Sequence, residues 1–260
     1  MFRHKGKNRT FAHNLRLATL LSFVAGLVNI TGVLALKTLT TNVTGHFAFF
    51  AEEIMRHEYA AAFTFLVFTL FFLLGSFLSS FLQELVSLKN PALSHIFPTT
   101  LEMVILIAVG VFGVSTGLLT LGGKLTAFFM LLAMGIQNSL VTNISNSTVR
   151  TTHLTGLFTD LGIELSQLFF YKKPEEVKKL KTSIFLRLSI IVFFFVGCFS
   201  GGIIYQFLEV KTLFVAAFFL LIAQWFDYMR LKFHIIKRKK IITKIITSRY
   251  ISSKTTPQPK

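Results

Sequence analysis

The chain has 260 residues, of which 53% are hydrophobic and 15% charged, and it contains 31 phenylalanines. A soluble domain is usually about one quarter charged, so this composition excludes a disordered or collagen-like chain and favours a membrane protein with several helices. The single cysteine, Cys198, excludes an internal disulfide and any site that needs several cysteine ligands.

Six apolar stretches are long enough to cross a bilayer core, which needs about 20 helical residues. They cover approximately residues 16–36, 60–82, 99–121, 124–146, 183–206 and 211–229. Apolar residues run continuously in these stretches instead of alternating with polar ones, which indicates helices and not the strands of a barrel. The sequence therefore predicts an all-α polytopic membrane protein with about six transmembrane helices.

The positive charge is concentrated beside the apolar stretches. Residues 1–16, 171–182 and 230–260 hold five, five and ten of the 27 lysines and arginines, and the formal net charge is +16. The positive-inside rule predicts that all three segments, and so both termini, lie in the cytoplasm. The tail lacks the glycine or aromatic interleaving of a nucleic-acid surface. We therefore expect it to lie on anionic lipid as an amphipathic helix, with no nucleic-acid partner.

Two regions of the chain are similar to each other, which indicates an internal duplication. The matching pairs are Gly26 and Gly135, Asn29 and Asn138, Thr44 and Thr155, Gly45 and Gly156, and Glu53 and Glu164. The first two pairs are separated by 109 residues and the other three by 111. Further along, the sequence FLLGSFLSS around Gly75 parallels FFVGCFSGG around Gly197.

Each half of the duplication holds three predicted spans and one short segment, 43–56 or 154–170. An odd number of spans in each half predicts that the halves are inverted relative to each other, as in many transporters. We expect the short segments to be re-entrant or interfacial; the alternative is that both cross, which gives eight spans and parallel halves. The predicted organisation is a basic N-terminus at 1–15, membrane repeats at 16–122 and 123–229, and a basic tail at 230–260.

The motifs resemble those of the YoaK-like family of bacterial inner-membrane proteins, which is defined by a domain of unknown function. The resemblance is carried by Gly26 and Asn29, by the Thr-Gly pair at 44–45, by GIQN at 135–138, and by RTTHLTG with TDLG within 150–162. Asn29 stands where that family often has Asp, and His46 where it usually has Asn. The resemblance implies a multi-span protein of the bacterial inner membrane, and it supplies no substrate.

Three amide side chains, Asn29, Gln137 and Asn138, lie well inside predicted spans. Polar groups at membrane depth are costly, so they usually pair with each other, line a cavity or mark a pathway. These amides are candidate substrate-binding residues. The alternative is that they form hydrogen bonds between helices and only hold the bundle together.

The two Thr-Gly pairs open the two short segments. Thr44 with Gly45, and Thr155 with Gly156, could start helices inside the membrane, where free N–H groups attract an anionic or polar group. They are therefore candidate substrate-binding residues. Ordinary capping of interfacial helices by the threonines is the alternative.

Four charged residues are candidates for an ion or proton relay. Glu53, Asp160 and Glu164 follow the Thr-Gly pairs, and Asp160 and Glu164 are four residues apart, on one face of a helix. Arg187 lies within a predicted span and should pair with Asp160 or Glu164. In the alternative, the acids face interfacial water and Arg187 extends to the cytoplasmic surface.

The leading functional hypothesis is a secondary transporter or permease of a small polar solute. The alternative is a membrane scaffold or assembly factor that transports nothing. The chain lacks the HExxH, CxxC, GxSxG and nucleotide-loop motifs, so we expect neither an enzyme with catalytic residues nor a cofactor. The two histidines near the Thr-Gly pairs, His46 and His153, are too few to indicate a metal site.

Overall fold

A computed structural model describes residue 2 and residues 10–229 of the chain. The helices are α1 (Phe11–Leu36), α2 (Thr44–Met55), α3 (Tyr59–Ser87), α4 (Ile96–Phe112), α5 (Leu121–Ser145), α6 (Leu154–Phe170) and α7 (Pro174–Leu208). A further helix, α8, begins at residue 213 and continues through 229, the last residue described. No strand occurs among the described residues, so the predicted all-α class is confirmed.

Four helical stretches are long and apolar enough to cross a membrane. They are Phe11–Leu36, Tyr59–Ser87, Leu121–Ser145 and Pro174–Met229, with mean hydropathies between 1.5 and 2.3. The last stretch contains α7, a 3-10 turn at Glu209–Thr212, and α8. Helix α4 is apolar but shorter, with 17 residues. These lengths support a membrane-type helical protein, and the number of six spans stays a prediction.

The third predicted span, 99–121, is wrong at its C-terminal end, because α4 stops at Phe112. Gly113 has an extended backbone, and Gly117 has a left-handed φ of +67°, so the chain cannot continue as a helix. The next helix begins at Leu121, where the hydroxyl of Thr120 accepts a hydrogen bond from the N–H of Gly123 at 3.0 Å. The connection is itself apolar, which is why composition alone did not separate it from the span.

The chain divides into two compact units, residues 1–221 and 222–260. In the second unit, residues 222–229 are helical and the rings of Trp225 and Phe226 lie 5.4 Å apart. The predicted amphipathic tail, 230–260, lies outside the described residues. All contacts given below belong to the first unit.

Helices α1 and α7 touch through their backbones. A methyl group added to Gly26 would overlap the carbonyl oxygen of Phe194, and one added to Gly197 would overlap the carbonyl oxygen of Phe23. Any side chain at either glycine would push the two helices apart, so glycine here permits the close packing that is typical of membrane helices.

Helices α3 and α5 touch in the same manner. A methyl group added to Gly75 would overlap the carbonyl oxygen of Leu132, and one added to Gly135 would overlap the carbonyl oxygen of Phe72. These four glycines form the two pairs that match between the halves of the sequence, Gly26 with Gly135 and Gly75 with Gly197.

The residues that follow Gly75 and Gly197 each donate a hydrogen bond across a helix crossing. The hydroxyl of Ser76 donates to the carbonyl oxygen of Gly135 at 3.1 Å. The thiol of Cys198 donates to the carbonyl oxygen of Gly26 at 3.4 Å. Small residues with one donor therefore occupy equivalent positions at the two helix crossings.

Contacts along each crossing give the helix directions. Helices α1 and α7 run in the same direction. Phe11 at the start of α1 faces Phe185 of α7, with ring centroids 6.1 Å apart, and Gly26 faces Gly197 further along both helices. Helices α3 and α5 are also parallel. The rings of Phe71 and Phe128 stack at 4.8 Å, and Asn143 donates to Ser80 at 3.3 Å closer to the C-terminal ends.

Several helix termini meet at one end of the first unit. The residue after α4, Gly113, packs on Val210 in the turn that follows α7, and this turn also contacts α1. The N–H of Val114 donates to Thr126 in the first turns of α5 at 3.2 Å. Helix α5 therefore begins at the end where α7 and the parallel α1 finish, so α1 and α5 run in opposite directions.

These directions fix the course of the two connections that contain α2 and α6. Helix α3, parallel to α5, also begins where α1 ends, so residues 37–58 leave and return at the same end of the unit. By the same reasoning, residues 146–173 leave and return at the opposite end, where α1 and α7 begin.

Candidate functional site

The chain after α5 turns back along the helix it has just left. Asn146 takes a left-handed conformation with φ +53°, which reverses the chain. The hydroxyl of Thr152 then donates to the side-chain oxygen of Asn138 at 2.8 Å. Asn138 lies seven residues before the end of α5, or about 10 Å along the helix axis. Helix α6 therefore starts near the level of Asn138 and not at the level where α5 ends.

The chain after α1 does the same. Lys37 takes a left-handed conformation with φ +56°, and the hydroxyl of Thr41 donates to the side-chain oxygen of Asn29 at 2.9 Å. The hydroxyl of Thr40 donates to the carbonyl oxygen of Val28 at 3.4 Å. Asn29 also lies seven residues, about 10 Å, before the end of its helix.

These two hydrogen bonds are equivalent in sequence as well as in geometry. Asn29 and Asn138 are 109 residues apart, and Thr41 and Thr152 are 111 apart, the same two offsets that relate the rest of the duplicated motifs. Each amide is half-buried and fixes the loop that leads into a short helix. The predicted meeting of the two amides stays a prediction.

Gln137 connects three parts of the unit. Its side chain is fully buried, and the amide nitrogen donates to the carbonyl oxygen of Leu21 on α1 at 2.9 Å and to the hydroxyl of Thr151 at 3.4 Å. The first contact is a hydrogen bond between α5 and α1. Gln137 therefore holds two helices together, which is the alternative given above to substrate binding.

The two Thr-Gly pairs lie inside the first turns of the short helices. Thr44 is the first residue of α2, and Thr155 is the second residue of α6, so the alternative in which the threonines cap these helices is wrong. Both helices start one or two residues earlier than a threonine cap requires, and both threonines are exposed.

Residues just before the Thr-Gly pairs pack on the two first turns instead. The side-chain oxygen of Asn42 accepts a hydrogen bond from the N–H of Gly45 at 3.4 Å. At the matched place in the second half, a methyl group on Gly156 would lie 2.5 Å from Nδ1 of His153. Glycine at 156 therefore leaves room for the imidazole ring against the start of α6.

Arg187 on α7 is held by two acids of α6. Its Nη1 lies 2.7 Å from Oδ2 of Asp160, and its Nε lies 2.9 Å from Oε2 of Glu164. The hydroxyl of Ser183 donates to the other oxygen of Glu164 at 2.6 Å. The side chains of Arg187 and Glu164 are only 23% and 14% exposed, so this ion pair is shielded from water far better than a typical surface pair.

The matched place in the first half is aromatic and not ionic. The offset of 111 relates Phe49 to Asp160. The offset of 122, which separates Gly75 from Gly197, relates Phe65 to Arg187. The rings of Phe49 and Phe65 lie 5.3 Å apart. Glu53 corresponds to Glu164, but the position that corresponds to Arg187 is Phe65. The charged cluster therefore exists in one half only, and the relay role predicted for Glu53 has no matching cation in its own half.

His46 is a buried part of the first half. Its ring is 1% exposed, its Nε2 lies 2.8 Å from the carbonyl oxygen of Leu39, and it packs between Phe65 and Phe68. Within the described part of the chain, no group of three His, Cys, Asp or Glu side chains is arranged to hold a metal ion.

A polar cavity of about 520 Å³ opens beside the start of α6. Its walls include Arg150 and His153 from the loop, Gly156 and Asp160 from α6, and Arg187 from α7. It thus brings together three of the residues predicted from sequence, namely Gly156, Asp160 and Arg187. The cavity contains both signs of charge and the exposed turn of a helix N-terminus, so it can hold a small solute that carries polar or charged groups.

One acidic residue of this part of the protein is absent from the candidates that the sequence motifs predict. Glu102 lies in α4, is fully buried, and neither oxygen of its carboxyl group has a hydrogen-bond partner. The signal was present, because Glu102 is an acid inside the third apolar stretch. It stands alone between apolar residues and outside the duplicated motifs.

Comparison with known proteins gives a family and no closer relative. No curated protein matches the chain, and no solved structure matches it. Residues 17–225 match the family described as "Protein of unknown function (DUF1275)". The match includes both Thr-Gly motifs, both helix crossings and the polar cavity, and it covers well over half of the chain. The chain therefore belongs to the DUF1275 family.

Proposed function

We propose that the chain is a secondary transporter or permease of a small polar solute in the bacterial inner membrane, and that its family is the YoaK-like family its motifs resemble. The support comes from three features of the described residues. They are the course of the two short connections, the matched helix crossings, and the polar cavity beside α6.

The proposed topology has six spans, α1, α3, α4, α5, α7 and α8, with α2 and α6 re-entrant. The opposite directions of α1 and α5 support it, because eight crossing helices would make α1 and α5 parallel. Helix α4 has 17 residues, about 26 Å, which is near the lower limit for a bilayer core of about 30 Å. The basic segment 171–182 lies at the end where α1 and α7 begin, which supports a cytoplasmic N-terminus. With an even number of spans, the C-terminus is then cytoplasmic as well.

The two halves, 16–122 and 123–229, are proposed to be inverted repeats. A rotation that exchanges the halves carries α1 onto α5 and α3 onto α7, so it carries the α1–α7 crossing onto the α5–α3 crossing. The equivalent glycines and the equivalent Ser76 and Cys198 support this exchange. The antiparallel α1 and α5 support an axis in the plane of the membrane, the arrangement of many transporters.

In this proposal the two short helices start inside the membrane from opposite faces. Each start is held by its Asn–Thr bond about 10 Å from the end of the preceding helix, where its free N–H groups can bind a polar group. The cytoplasmic side is open at the polar cavity, whereas His46, Phe49 and Phe65 fill the equivalent region on the other side. In the proposal this difference between the two sides corresponds to an inward-open state, and rocking of the halves would exchange the two sides.

The polar cavity beside α6 is the observation that carries the proposal. A scaffold needs its polar groups satisfied within the bundle, but it has no need of a cavity of about 520 Å³ lined by Arg150, Asp160 and Arg187. The mixture of charges favours a solute with both donor and acceptor groups, such as a zwitterion, over a purely apolar one.

A ligand screen followed by counterflow tests the proposal. The full chain in lipid nanodiscs is heated with panels of amino acids, carboxylates, amines and polyols, and any solute that raises the melting temperature is tested for counterflow in proteoliposomes. We expect at least one solute to pass both tests, and Arg150→Ala to weaken its binding about tenfold by removing one charge-assisted hydrogen bond.

The matched control is Lys179→Ala, because Lys179 is an exposed cation of α7 outside the cavity. It should bind the solute as the wild type does. If no member of the panels stabilises the protein and none undergoes counterflow, the transporter proposal fails and the scaffold hypothesis is favoured.

A further inference from the structure

The buried side of α4 carries an acid that the transport proposal does not use. Glu102 is 0% exposed, and both of its carboxyl oxygens are buried without a hydrogen-bond partner among the described residues. It is the only charged residue between Ile96 and Phe112, and it lies six residues, about 9 Å, from the start of that helix. In the proposed topology this position is within the membrane, on the cytoplasmic side.

The charged groups of the neighbouring elements do not neutralise Glu102. Helix α5 has one charged residue, Lys124, which lies in its first turn, beside the far end of α4. The turn after α7 brings Glu209 and Lys211 to that same far end, about 15 Å from Glu102 along α4. On the α3 side, Glu84 and Lys89 are exposed to the surroundings.

Among the described residues, the remaining titratable group near this end is His95. It lies seven residues, or two helical turns, before Glu102 and on the same side of the helix. Its ring is buried and stacks on Phe2, with centroids 5.3 Å apart. Between the two, the hydroxyl of Thr99 donates to the carbonyl oxygen of His95 at 2.8 Å, so this hydroxyl is already used within the helix.

A carboxylate in this environment would be far less stable than a carboxylic acid. Moving an unpaired charge out of water is the most expensive form of polar burial, and a protein avoids it by keeping the group neutral. Ionisable side chains within membrane helices are uncommon and usually belong to ion or proton pathways. The geometry therefore favours a proton on Glu102.

A second unsatisfied group lies at similar depth on the adjacent helix. Gln83 of α3 is fully buried, and its amide nitrogen donates to the carbonyl oxygen of Ser79 at 3.2 Å, but its own carbonyl oxygen has no partner. Gln83 lies four residues, about 6 Å, from the end of α3. A protonated acid has a hydrogen-bond donor that an unpaired acceptor of this kind can use, whereas a carboxylate has only acceptors.

We propose that Glu102 is a proton-binding site in the membrane-embedded part of the protein, which takes up and releases a proton on the cytoplasmic side. The exchange is a simple acid dissociation, in which the carboxylic acid O–H bond breaks and the proton passes to water. The membrane depth and cytoplasmic side of this site rest on the proposed topology, but a proton on this one carboxyl group does not require that the chain transports a solute, so the two proposals can fail separately.

Infrared spectroscopy of the full chain in nanodiscs tests the site directly, because the C=O stretch of a carboxylic acid is absent from a carboxylate. We expect the wild type to show a carboxylic acid band at neutral pH that decreases as the solution is made alkaline. Glu102→Gln should lack the band. Glu84→Gln, which removes an exposed acid of the neighbouring helix, should keep it.

Three results would overturn the proposal. The first is a wild type without the band at neutral pH, and the second is a band that survives in Glu102→Gln. The third is a band that sodium chloride removes, whereas choline chloride and alkali leave it in place. The last result would assign the site to a metal cation. If Glu102→Gln does not fold, Glu102→Asp serves instead, since the shorter acid should shift the band frequency. An unshifted band would assign the signal to another group.

Discussion

Arg187 of α7 and Asp160 of α6 lie 2.7 Å apart at the edge of the polar cavity, and Arg187 also holds Glu164 of the same helix. The pair joins the short helix of the second half to the long helix that follows it. In the first half, Phe49 and Phe65 join the equivalent helices through ring packing. The contact between the short helix and the following long helix is thus ionic and beside a cavity in the second half, and aromatic in the first half.

Removal of Arg187 should destabilise the second half. In Arg187→Met, Glu164 keeps only its bond from Ser183 and becomes a poorly paired, largely buried carboxylate, which costs about 1–3 kcal/mol. We expect a lower melting temperature in detergent. Lys172→Met, which removes an exposed cation outside the cavity, should leave the melting temperature unchanged.

A second substitution distinguishes lost charge pairing from lost packing. If the unpaired carboxylate is the cause, the double variant Arg187→Met with Glu164→Gln should recover part of the stability. A double variant less stable than Arg187→Met alone would show that the stem of Arg187, and not its charge, holds α6 to α7.

The glycines at the helix crossings should tolerate no side chain. Gly26→Ala places a methyl group against the backbone of α7, so the helices must separate, at a cost of about 1–3 kcal/mol. The matched control is Gly162→Ala in α6, where no atom lies within 4 Å of the added methyl group. Because alanine is the better helix former by about 1 kcal/mol, Gly162→Ala should be neutral or stabilising. Equal melting temperatures for the two variants would contradict the close crossing.

The sequence predicted the helical class, the two short segments and both acids that bind Arg187. These features follow from apolar length, repeated motifs and the need of a buried cation for a partner. The repeated glycines also marked the helix crossings, although sequence alone did not reveal that α1 would pair with α7 and α3 with α5.

Other features could not be obtained from sequence. Three threonines, Thr38, Thr40 and Thr41, follow α1, and only the reversal at Lys37 decides which of them reaches Asn29. The end of α4 was missed because the connection after it is as apolar as the helix. The burial of Glu102 without a partner depends on the packing of α3, α4 and α5, which no local pattern encodes.

The two Asn–Thr bonds should be coupled energetically. Thr152→Val removes the donor to Asn138, and Asn138→Ala removes the acceptor, so each should cost about 0.5–1.5 kcal/mol. The double variant should cost less than the sum, since the same bond is lost in both. The equivalent cycle with Thr41→Val and Asn29→Ala should give a similar coupling, because its bond has nearly the same length. Strict additivity in either cycle would show that its bond contributes nothing.

The same asparagines separate binding from bundle stability. If they contact solute, Asn138→Ala should lose counterflow of the solute found in the ligand screen while its melting temperature stays within a few degrees of the wild type. If they only hold the loops, Asn138→Leu should lower the melting temperature, and solute affinity per folded molecule should be unchanged.

Cysteine labelling tests the two re-entrant connections. Cys198→Ser keeps a small donor at the α1–α7 crossing, where Ser76 stands in the other crossing, and provides a background free of thiols. Glu58→Cys lies between α2 and α3, and the six-span topology puts it on the periplasmic face. An impermeant maleimide added to intact cells should therefore label it. Lys172→Cys, between α6 and α7, should be labelled only after the membrane is permeabilised. Protection of Glu58→Cys in intact cells would favour eight spans, and labelling of Lys172→Cys in intact cells would reverse the orientation.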